Sequence, residues 1–431
     1  MNTLSELLKK LKALPTGNVY KKIINGKVYY YHQYFLDGKR ISNKVKDNEL
    51  DILKKQIQER IEIENQIKNI RLRNTSLSKN CKELTGYVMN KNEVVAKFEK
   101  GVLVSINETL APLVIKTTHS LEKFLELRVI DMSRTNARIL KKVLNMDFDE
   151  DYKASLYSYA LSVSDHYWFK PKHSKLKYNE VNFDNDALFE IALKGEVNVY
   201  FNKAKLSPEI TTTGSFEKGW RYIDNEWWLY KSGNANQLFS ELFSCKFAEL
   251  IGVNTVKYEL EDKYIKCKNF SPIYNFEPIA SLADSNDNYE NIFSILINID
   301  RYLARDYLKL IFFDTVVNNI DRHNENMGLL RNADNGQIIS LAPNFDNNLS
   351  LLATNEVINT DMRQDGFAKL FINFLIKNDE ARKLFKTIQF KPIEIMDIQN
   401  IVNTIPLEVP HKEDIANNVF KRYNFIKNMF D

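Results

Sequence analysis

Residues 318–330 of this chain read NNIDRHNENMGLL. The stretch places Asp321, His323 and Asn326 in one polar run, directly after the apolar segment LKLIFFDTVV of residues 308–317. Two interpretations fit this pattern: a polar turn that ends a buried helix, and a catalytic loop. The residues that precede and follow the run decide between them.

The segment after the run favours a catalytic loop. Residues 327–342 predict a hairpin whose turn lies at 334–336, and Asp346 follows Asn326 by 20 residues. In protein kinases the catalytic Asp and the metal-binding Asn are five residues apart, and the metal-chelating Asp lies beyond a similar hairpin. Asp321, Asn326 and Asp346 match that order. Phosphoryl transfer needs a carboxylate for the attacking hydroxyl, and an amide oxygen and a carboxylate for Mg²⁺.

A second group of candidate residues lies upstream, in EITTTGSFEKGWRYIDNEWWLYK at 209–231. We predict a strand, a tight turn containing Gly214, and a second strand that ends at Lys231. A glycine in such a turn lets backbone N–H groups approach phosphate oxygens. Lys231 would reach the same phosphates, although an edge lysine that points to solvent is the simpler alternative. The segment has neither the GxGxxG nor the Walker pattern.

The next predicted helix, residues 236–252, offers a partner for Lys231. Its apolar stripe is Leu238, Phe239, Leu242, Phe243, Phe247 and Leu250, and Glu241 lies beside that stripe. In protein kinases a strand lysine is oriented by a glutamate on the following helix. Lys231 and Glu241 have the order and spacing of that pair, and the alternative is a solvated surface glutamate.

Taken together, these segments resemble the HipA family of bacterial serine/threonine kinases. The stretches NNIDRHNENMGLL and ISLAPNFD are similar to the family's catalytic loop and metal segment, and TTTGSFEKGW resembles its phosphate loop, with GSFEK in place of GAQxK. The resemblance covers roughly residues 155–431 and extends weakly back to residue 85. It implies ATP and Mg²⁺ as cofactors and a protein substrate. It also implies an antitoxin-like regulator in a toxin–antitoxin system.

The resemblance also implies a role for each matching residue. Asp321 would be the catalytic base, and Asn326 and Asp346 would hold Mg²⁺. The nucleotide-binding residues would be Gly214, Ser215 and Lys218 of the phosphate loop, Lys231 with Glu241 at the phosphates, and Lys268 and Phe270 of KNF where the hinge meets adenine. Family members autophosphorylate a serine three residues before the loop glycine, a position that Thr211 occupies here. Phosphorylation there would pull the loop away from ATP.

The catalytic loop has a rival resemblance to phosphatidylinositol 3-/4-kinases, which also carry a DRHNxN sequence. There the histidine takes part in proton transfer, so His323 would be catalytic; in a protein kinase it would only shape the loop. A lipid or small-molecule kinase is therefore an alternative function. A DNA-binding regulator with a degenerate kinase domain is another.

Composition bounds these hypotheses. The chain has 431 residues, 44% of them hydrophobic, which predicts a globular protein of two or three domains. No window approaches 18 uncharged apolar residues, so we predict no membrane span. Cys81, Cys245 and Cys267 are odd in number and far apart, which favours a reducing cytoplasm over a disulfide framework or a zinc site.

Charge is concentrated at the N-terminus. Residues 1–80 carry 17 Lys/Arg and 8 Asp/Glu, a balance of +9, so the remainder carries −5 of the total of +4. Residues 18–45 predict a three-stranded antiparallel meander with turns at Asn25-Gly26 and Asp37-Gly38, followed by a helix over 47–71. A basic module suits an anionic partner, and DNA contact through residues 1–80 is one hypothesis. A solvated, lysine-rich surface is the alternative.

We therefore predict an α+β protein with a two-lobed, protein-kinase-like fold, in which a β-rich N-lobe and a helical C-lobe follow a small basic α+β module. The predicted domains are residues 1–75 (meander plus helix), 85–150 (a HipA-like N-terminal subdomain), 155–270 (the N-lobe with the phosphate loop) and 271–431 (the C-lobe with the catalytic loop). Ser120 is the predicted N-cap of a helix within the second domain.

Overall fold

The computed structural model describes residues 4–24, 27–36, 39–76, 83–131, 134–144, 152–197, 206–283, 288–351 and 365–430. The chain packs as two compact units. Unit 1 comprises Met1–Asn107 and His119–Trp228, and unit 2 comprises Glu108–Thr118 and Leu229–Asp431. Helices accompany antiparallel sheets in the chain, so the predicted α+β class is confirmed. The four-domain division stays a prediction.

Unit 1 begins with the basic module. Its elements are α1 (Leu4–Ala13), β1 (Asn18–Ile24), β2 (Lys27–Leu36), β3 (Lys39–Val45) and α2 (Asp47–Ser76). The strands form an antiparallel sheet of order β1-β2-β3, as predicted, and α2 runs five residues beyond the predicted end at 71. Both predicted turns, Asn25-Gly26 and Asp37-Gly38, lie outside the described residues. The helices α1 and α2 pack through a small apolar cluster of Leu7, Leu11, Ile63 and Ile67.

The remainder of the first half of the chain alternates short strands and helices. In chain order these are β4 (Gly86–Asn90), β5 (Glu93–Glu99), β6 (Val102–Ile106), α3 (Leu113–Thr118, part of unit 2), α4 (Leu121–Glu126), α5 (Thr135–Leu144), α6 (Tyr152–Tyr157), β7 (Tyr167–Pro171), α7 (Tyr178–Val181), α8 (Phe189–Lys194), β8 (Lys218–Ile223) and β9 (Glu226–Lys231). Four strands form a sheet of order β6-β5-β4-β7. Ser120 caps α4 by accepting a hydrogen bond from the Lys123 backbone N–H, as predicted.

The predicted conformation of residues 209–217 is wrong. Instead of a strand, Pro208–Thr211 form a 3₁₀ turn, because proline fixes the φ angle that starts such a turn. The tight turn between the two strands lies at Asp224 and Asn225, whose φ angles of 50° and 63° are left-handed. Asp and Asn tolerate that region better than other non-glycine residues. Gly214 therefore lies in the loop before β8, not between the strands.

Unit 2 continues from the end of β9. Its further elements are α9 (Ala235–Ile251), β10 (Glu259–Glu261), β11 (Tyr264–Lys268), β12 (Tyr274–Pro278), α10 (Ala280–Ala283), α11 (Tyr289–Ile299), α12 (Arg301–Val317), β13 (Gly328–Asn332), β14 (Ile338–Leu341), α13 (Gly366–Lys377), α14 (Asp379–Lys386), α15 (Ile395–Thr404) and α16 (Lys412–Asn428). The strands β10, β11 and β9 are consecutive neighbours in one sheet, and β12, β13 and β14 form another. The predicted hairpin after the polar run is the pair β13–β14.

The core of unit 2 is built around two helices that are buried on most sides. In α9 the predicted stripe is buried, apart from the half-buried Leu250, and Phe239, Phe243 and Phe247 stack along one side. The segment LKLIFFDTVV forms the second half of α12, and Phe312 contacts the rings of Phe371, Phe385, Phe390 and Tyr423. Aromatic packing of this density gives the end of α12 a fixed position.

The described residues contain no helix that is both long and apolar enough to cross a membrane. Cys245 and Cys267 are buried free thiols. Cys81 lies outside the described residues. The predicted compartment stays a prediction.

A buried ion pair joins the C-terminal helix to the core. Arg422 of α16 donates to the Asp365 carboxylate at 2.7 Å, to the Val316 carbonyl at 3.0 Å and to the Thr315 carbonyl at 2.6 Å. The other carboxylate oxygen of Asp365 caps α13 by accepting from the Ala368 N–H at 2.8 Å. One side chain therefore fixes three helices, α12, α13 and α16, relative to one another.

Replacing this arginine tests its contribution to unit 2. Arg422→Ala leaves the Asp365 charge buried without its partner, so we expect the free energy of unfolding to fall by about 3–5 kcal/mol. Urea denaturation followed by circular dichroism measures the change. Lys421→Ala, on the exposed side of the same helix, is the matched control, with an expected change within about 0.5 kcal/mol. Equal stability of the two variants would contradict a structural role for the pair.

Candidate active site

The polar run begins where α12 ends. Asn318 takes a left-handed conformation, with φ of 55°, and closes the helix by donating its backbone N–H to the Asp314 carbonyl. The side-chain oxygen of Asn319 then accepts from the Asp321 backbone N–H at 3.2 Å. The Asp321 carbonyl accepts from the His323 N–H and from the Asn326 side-chain amide, both at 2.9 Å. The backbone of Asp321 is thus held on both sides by side chains of its own loop.

Arg322, the residue after Asp321, points back into the core and pairs with Asp314 of α12. Its Nε lies 2.9 Å from one Asp314 oxygen and its Nη2 lies 3.0 Å from the other, in a bidentate arrangement. Only 6% of the Arg322 side chain and 2% of the Asp314 side chain are exposed. Burial disfavours the guanidinium charge, but the carboxylates of Asp314, Asp346 and Glu241 together outweigh that effect and raise the pKa of Arg322. Asn319 donates to the same carboxylate at 2.9 Å.

Further hydrogen bonds of the Arg322 guanidinium join two segments that are distant in the sequence. Its Nη1 donates to the carbonyls of Asn326 at 2.6 Å and Phe345 at 2.9 Å, and its Nη2 donates to the side-chain oxygens of Asn344 at 2.6 Å and Asn347 at 2.8 Å. The catalytic-loop candidates and the residues on either side of Asp346 therefore meet at one guanidinium. Sequence analysis missed Arg322; the available signal was Asp314, a single acid inside an otherwise apolar run.

Lys231 brings the upstream and downstream candidates together. Its ammonium lies 2.8 Å from Asp346 Oδ1 and 3.3 Å from Glu241 Oε2. Burial disfavours the lysine charge, but the carboxylates of Asp346 and Glu241 outweigh burial and raise its pKa above the ordinary value. The residue is 3% exposed, so the alternative of an edge lysine pointing to solvent does not hold.

Glu241 is fully buried, which removes the alternative of a solvated surface glutamate. While one of its oxygens contacts Lys231, the other accepts from the Asn347 backbone N–H at 3.0 Å. Its helix, α9, begins at the N-cap Asn234, three residues after Lys231. Glu241 therefore holds both the lysine and the chain segment that carries Asp346.

The backbone at Asp346 is unusual. Its φ angle is 61°, a left-handed value that is uncommon outside glycine and often marks a functional position. Asn344, two residues earlier, is fixed by a short parallel bridge to Thr255, and the Val256 N–H donates to its carbonyl at 3.0 Å. The segment before Asp346 is therefore anchored on the chain that follows α9.

An aromatic cluster lies immediately before Asp346. The ring of Phe345 stacks on Phe270 with centroids 5.5 Å apart, and Phe276 packs edge-on against both rings. Phe270, a predicted adenine contact, is thus packed beside the Asp346 segment, whereas Lys268 is exposed at the end of β11. Tyr258, which sequence analysis missed, lies with its ring centroid 5.1 Å from the Lys231 ammonium.

The predicted phosphate-loop residues belong to unit 1. Gly214 has φ of 91°, a left-handed value that favours glycine, and a Cβ built on it would lie 2.4 Å from the Lys218 ammonium, the far end of a flexible side chain. Lys218 is buried, and Ser215 is exposed. Arg134 donates to the carbonyls of Thr212 at 2.6 Å and Lys218 at 3.5 Å, which holds the two ends of the loop.

The predicted phosphorylation site, Thr211, is buried. Its hydroxyl donates to the Leu161 carbonyl at 2.5 Å. Nearby Glu209 is fully buried, and burial raises its pKa to about 7 although Ser207 and the Trp220 N–H hydrogen bond to its carboxyl group. Thr213 and Ser215, in the same loop, are exposed.

The donor set of Asn326 and Asp346 suits a hard divalent cation. The Asn326 amide nitrogen is engaged by the Asp321 carbonyl, which leaves the amide oxygen as its candidate ligand atom. An amide oxygen and a carboxylate are ligands that Mg²⁺ accepts, with water completing its coordination. Among the described residues, no cluster of three or more His, Cys, Asp or Glu side chains could hold a metal.

His323 is exposed, and its ring contributes to the shape of the loop. Its Nδ1 accepts from the Glu325 backbone N–H at 3.3 Å, and its carbonyl accepts from the Asn326 N–H at 2.9 Å. These contacts are those of a residue that turns the chain between Asp321 and Asn326.

Replacing Arg322 tests whether one guanidinium joins the two segments. Arg322→Lys keeps the charge, but an ammonium has three donors in place of five and cannot span the same partners. We expect amide hydrogen exchange to accelerate at least tenfold in residues 321–326 and 344–347, and to be unchanged in α16. Arg382→Lys, at a partly exposed position on α14, is the matched control. Equal protection in both variants would contradict the role given to Arg322.

Comparison with known proteins finds similarity at the level of structure. No protein-family model matches the chain, and no curated protein matches it. The solved Helicobacter pylori proinflammatory kinase CtkA is 19% identical, with a TM-score of 0.40, and the match covers 49% of this chain and 94% of that one. HipA of Shewanella oneidensis, solved with HipB and its operator DNA, is 11% identical, with a TM-score of 0.49, and the match covers 80% of this chain and 97% of that one. A HipA protein is thus among the structures to which the chain is similar.

Proposed function

We propose that the chain is an ATP- and Mg²⁺-dependent serine/threonine protein kinase of HipA type. The observation that carries this proposal is the contact of Lys231 with both Glu241 and Asp346 inside a buried site. A strand lysine, a helix glutamate and a metal-binding aspartate are three parts that kinases use to hold ATP. These residues lie up to 115 positions apart in the chain, so local turn chemistry does not explain their meeting.

In this proposal Lys231 binds the α- and β-phosphates. An ammonium has three N–H donors, and the contacts with Glu241 and Asp346 use two of them. The two carboxylates keep the lysine charged despite its burial. Glu241 is fixed in turn by the Asn347 N–H, so the lysine is oriented before the nucleotide arrives.

Asp321 acts on the hydroxyl of the protein substrate. Its carboxylate orients that hydroxyl and takes the proton, the hydroxyl oxygen forms a bond to the γ-phosphorus, and the bond to the β–γ bridging oxygen breaks, so that ADP leaves. Mg²⁺, held by Asn326 and Asp346, would neutralise charge on the phosphates. The hydrogen bonds to the Asp321 backbone, and the Arg322–Asp314 pair beneath it, keep this carboxylate in place for the transfer.

Autophosphorylation of the phosphate loop is part of the proposal. Thr211 is the position that the family resemblance selects, and its phosphorylation requires the hydrogen bond to the Leu161 carbonyl to break. Because that residue is buried, modification there would expel the loop from its packing. Thr213 and Ser215 are exposed and require no such rearrangement.

A protein substrate is favoured over a lipid because the segment LAPNFD that carries Asp346 is similar to the metal segment of the HipA family. The Nδ1 of His323 accepts a backbone hydrogen bond within the loop, which gives the ring a shaping role. A phosphatidylinositol-kinase type of mechanism would instead use this ring in proton transfer. The buried contacts of Lys231 also weigh against a degenerate kinase domain. An antitoxin-like regulator is proposed as a partner, on the resemblance alone.

The activity is tested by incubating the purified protein with γ-labelled ATP and Mg²⁺. We expect label to enter the protein or an added protein substrate, and Asp321→Asn to lower the rate by about 10²–10⁴-fold, the range for loss of a general base. Asp306→Asn, on the exposed side of α12, is the matched control and should retain the rate. Mass spectrometry then locates the label among Thr211, Thr212, Thr213 and Ser215.

The outcomes separate the alternatives. Absence of ATP binding and of turnover would exclude both kinase hypotheses. Transfer to phosphoinositide vesicles without transfer to protein would favour the lipid kinase. Equal rates for Asp321→Asn and Asp306→Asn would contradict the role of Asp321 while leaving the kinase activity itself in place.

A further inference from the structure

Most of the net positive charge of the N-terminal module lies in its sheet, and α1 contributes three lysines and one glutamate. The strands β1, β2 and β3 contain six basic residues and no acidic one; the six are Lys21, Lys22, Lys27, Lys39, Arg40 and Lys44. The neighbouring helix α2 contains six acidic and six basic residues, so its charges cancel. The sheet and α2 contain equal numbers of basic residues, so the sheet is distinguished by its lack of acidic residues. The sheet therefore differs from the general surface of the module.

The two faces of this sheet have different surroundings. The ammonium of Lys54 on α2 lies 4.9 Å from the ring centroid of Tyr30. Val45, the cross-strand partner of Tyr30, is buried on the same face. Residues directly opposite in a sheet share a face, and alternate residues along a strand change face. The face with Tyr30 and Val45 therefore packs on α2, and the face with Tyr29 and Tyr31 points away from it.

The face that points away from α2 carries tyrosines and cations. We call it the tyrosine–lysine face and define it by Tyr20, Lys22, Lys27, Tyr29, Tyr31, Arg40, Ser42 and Lys44, which the strand registers place together. All four of its cations, Lys22, Lys27, Arg40 and Lys44, are exposed. No carboxylate side chain of the three strands neutralises them.

Ring contacts order this face. Tyr20 stacks on Tyr31 with centroids 5.6 Å apart, and its hydroxyl lies 2.8 Å from the Ser42 hydroxyl. The Lys44 ammonium lies 4.1 Å from the Tyr29 ring centroid, and the Lys22 ammonium lies 6.0 Å from that of Tyr31. A cation held over a ring loses less side-chain freedom when it binds an anion. Two of the four cations of the face, Lys22 and Lys44, are thus held over tyrosine rings.

We propose that the tyrosine–lysine face binds duplex DNA by entering the major groove. Three adjacent strands span about 10 Å between the outer two, and the major groove of B-DNA is about 12 Å wide. Lys22, Lys27, Arg40 and Lys44 contact phosphates on the groove walls, and the tyrosine hydroxyls face the base edges. This inference concerns unit 1 and does not depend on the proposed kinase activity.

The test measures DNA binding by the full-length protein at several salt concentrations. Fluorescence anisotropy with a labelled random-sequence duplex gives Kd from 50 to 300 mM KCl. Four phosphate contacts predict a slope of log affinity against log salt of about −3.6, and Lys22→Gln with Lys44→Gln should reduce it to about −1.8. Lys10→Gln with Lys55→Gln, exposed positions on α1 and α2, removes the same charge and should leave the slope nearly unchanged.

Replacing Lys22 and Lys44 also removes their ring contacts, which could disturb folding, so a second variant serves as a control. Lys27→Gln with Arg40→Gln removes two exposed cations of the same face and should lower the slope equally. The proposal is overturned if duplex binding shows no salt dependence, or if the face variants and the control lower the slope alike. Tighter binding to single-stranded RNA or to phosphatidylserine vesicles than to duplex DNA would also overturn it. Normal ATP turnover in every variant would show that the two functions are separate.

Discussion

The candidate site depends on the guanidinium of Arg322. It spans an acid inside α12, a carbonyl of the loop that carries Asp321, and the chain on both sides of Asp346. Such a group is stable in the interior only when all its donors are satisfied, and Asp314 provides the compensating charge. Loss of either Arg322 or Asp314 would leave the charge of the other residue buried and uncompensated. The position of Asp321 and that of Asp346 are therefore coupled through one residue that itself takes no part in the proposed chemistry.

Lys231, Glu241 and Asp346 form a second set of largely buried charges. Lys231 contacts two carboxylates, and Glu241 contacts both the lysine and the backbone beside Asp346. A hydrophobic replacement would often stabilise a protein more than such a cluster does. The cost is understandable if the site must present fixed charge to phosphates and a metal ion, since preoriented charge needs no reorganisation during the reaction. The left-handed backbone of Asp346 fits the same explanation.

Sequence analysis anticipated features that local chemistry controls. The hairpin β13–β14, the helix α9 and the three-stranded meander follow from turn residues and apolar periodicity. The contact of Lys231 with Glu241 followed from strand-to-helix order. Arg322 was missed because its partners lie up to 25 residues from it in the sequence and none is recognisable without the fold. The predicted position of the turn at Gly214 was wrong for a local reason. Pro208 starts a 3₁₀ turn where a strand was predicted, and the Asp224-Asn225 pair, not the glycine, forms the turn between the strands.

The central claim is that the buried charges around Lys231 form a site for the phosphates of ATP and its metal ion. Isothermal titration of ATP into the wild type and into Asp346→Asn, each with and without Mg²⁺, tests it most directly. We expect Mg²⁺ to tighten ATP binding at least tenfold in the wild type and to have no such effect in the variant. An equal gain from Mg²⁺ in both proteins would contradict the claim.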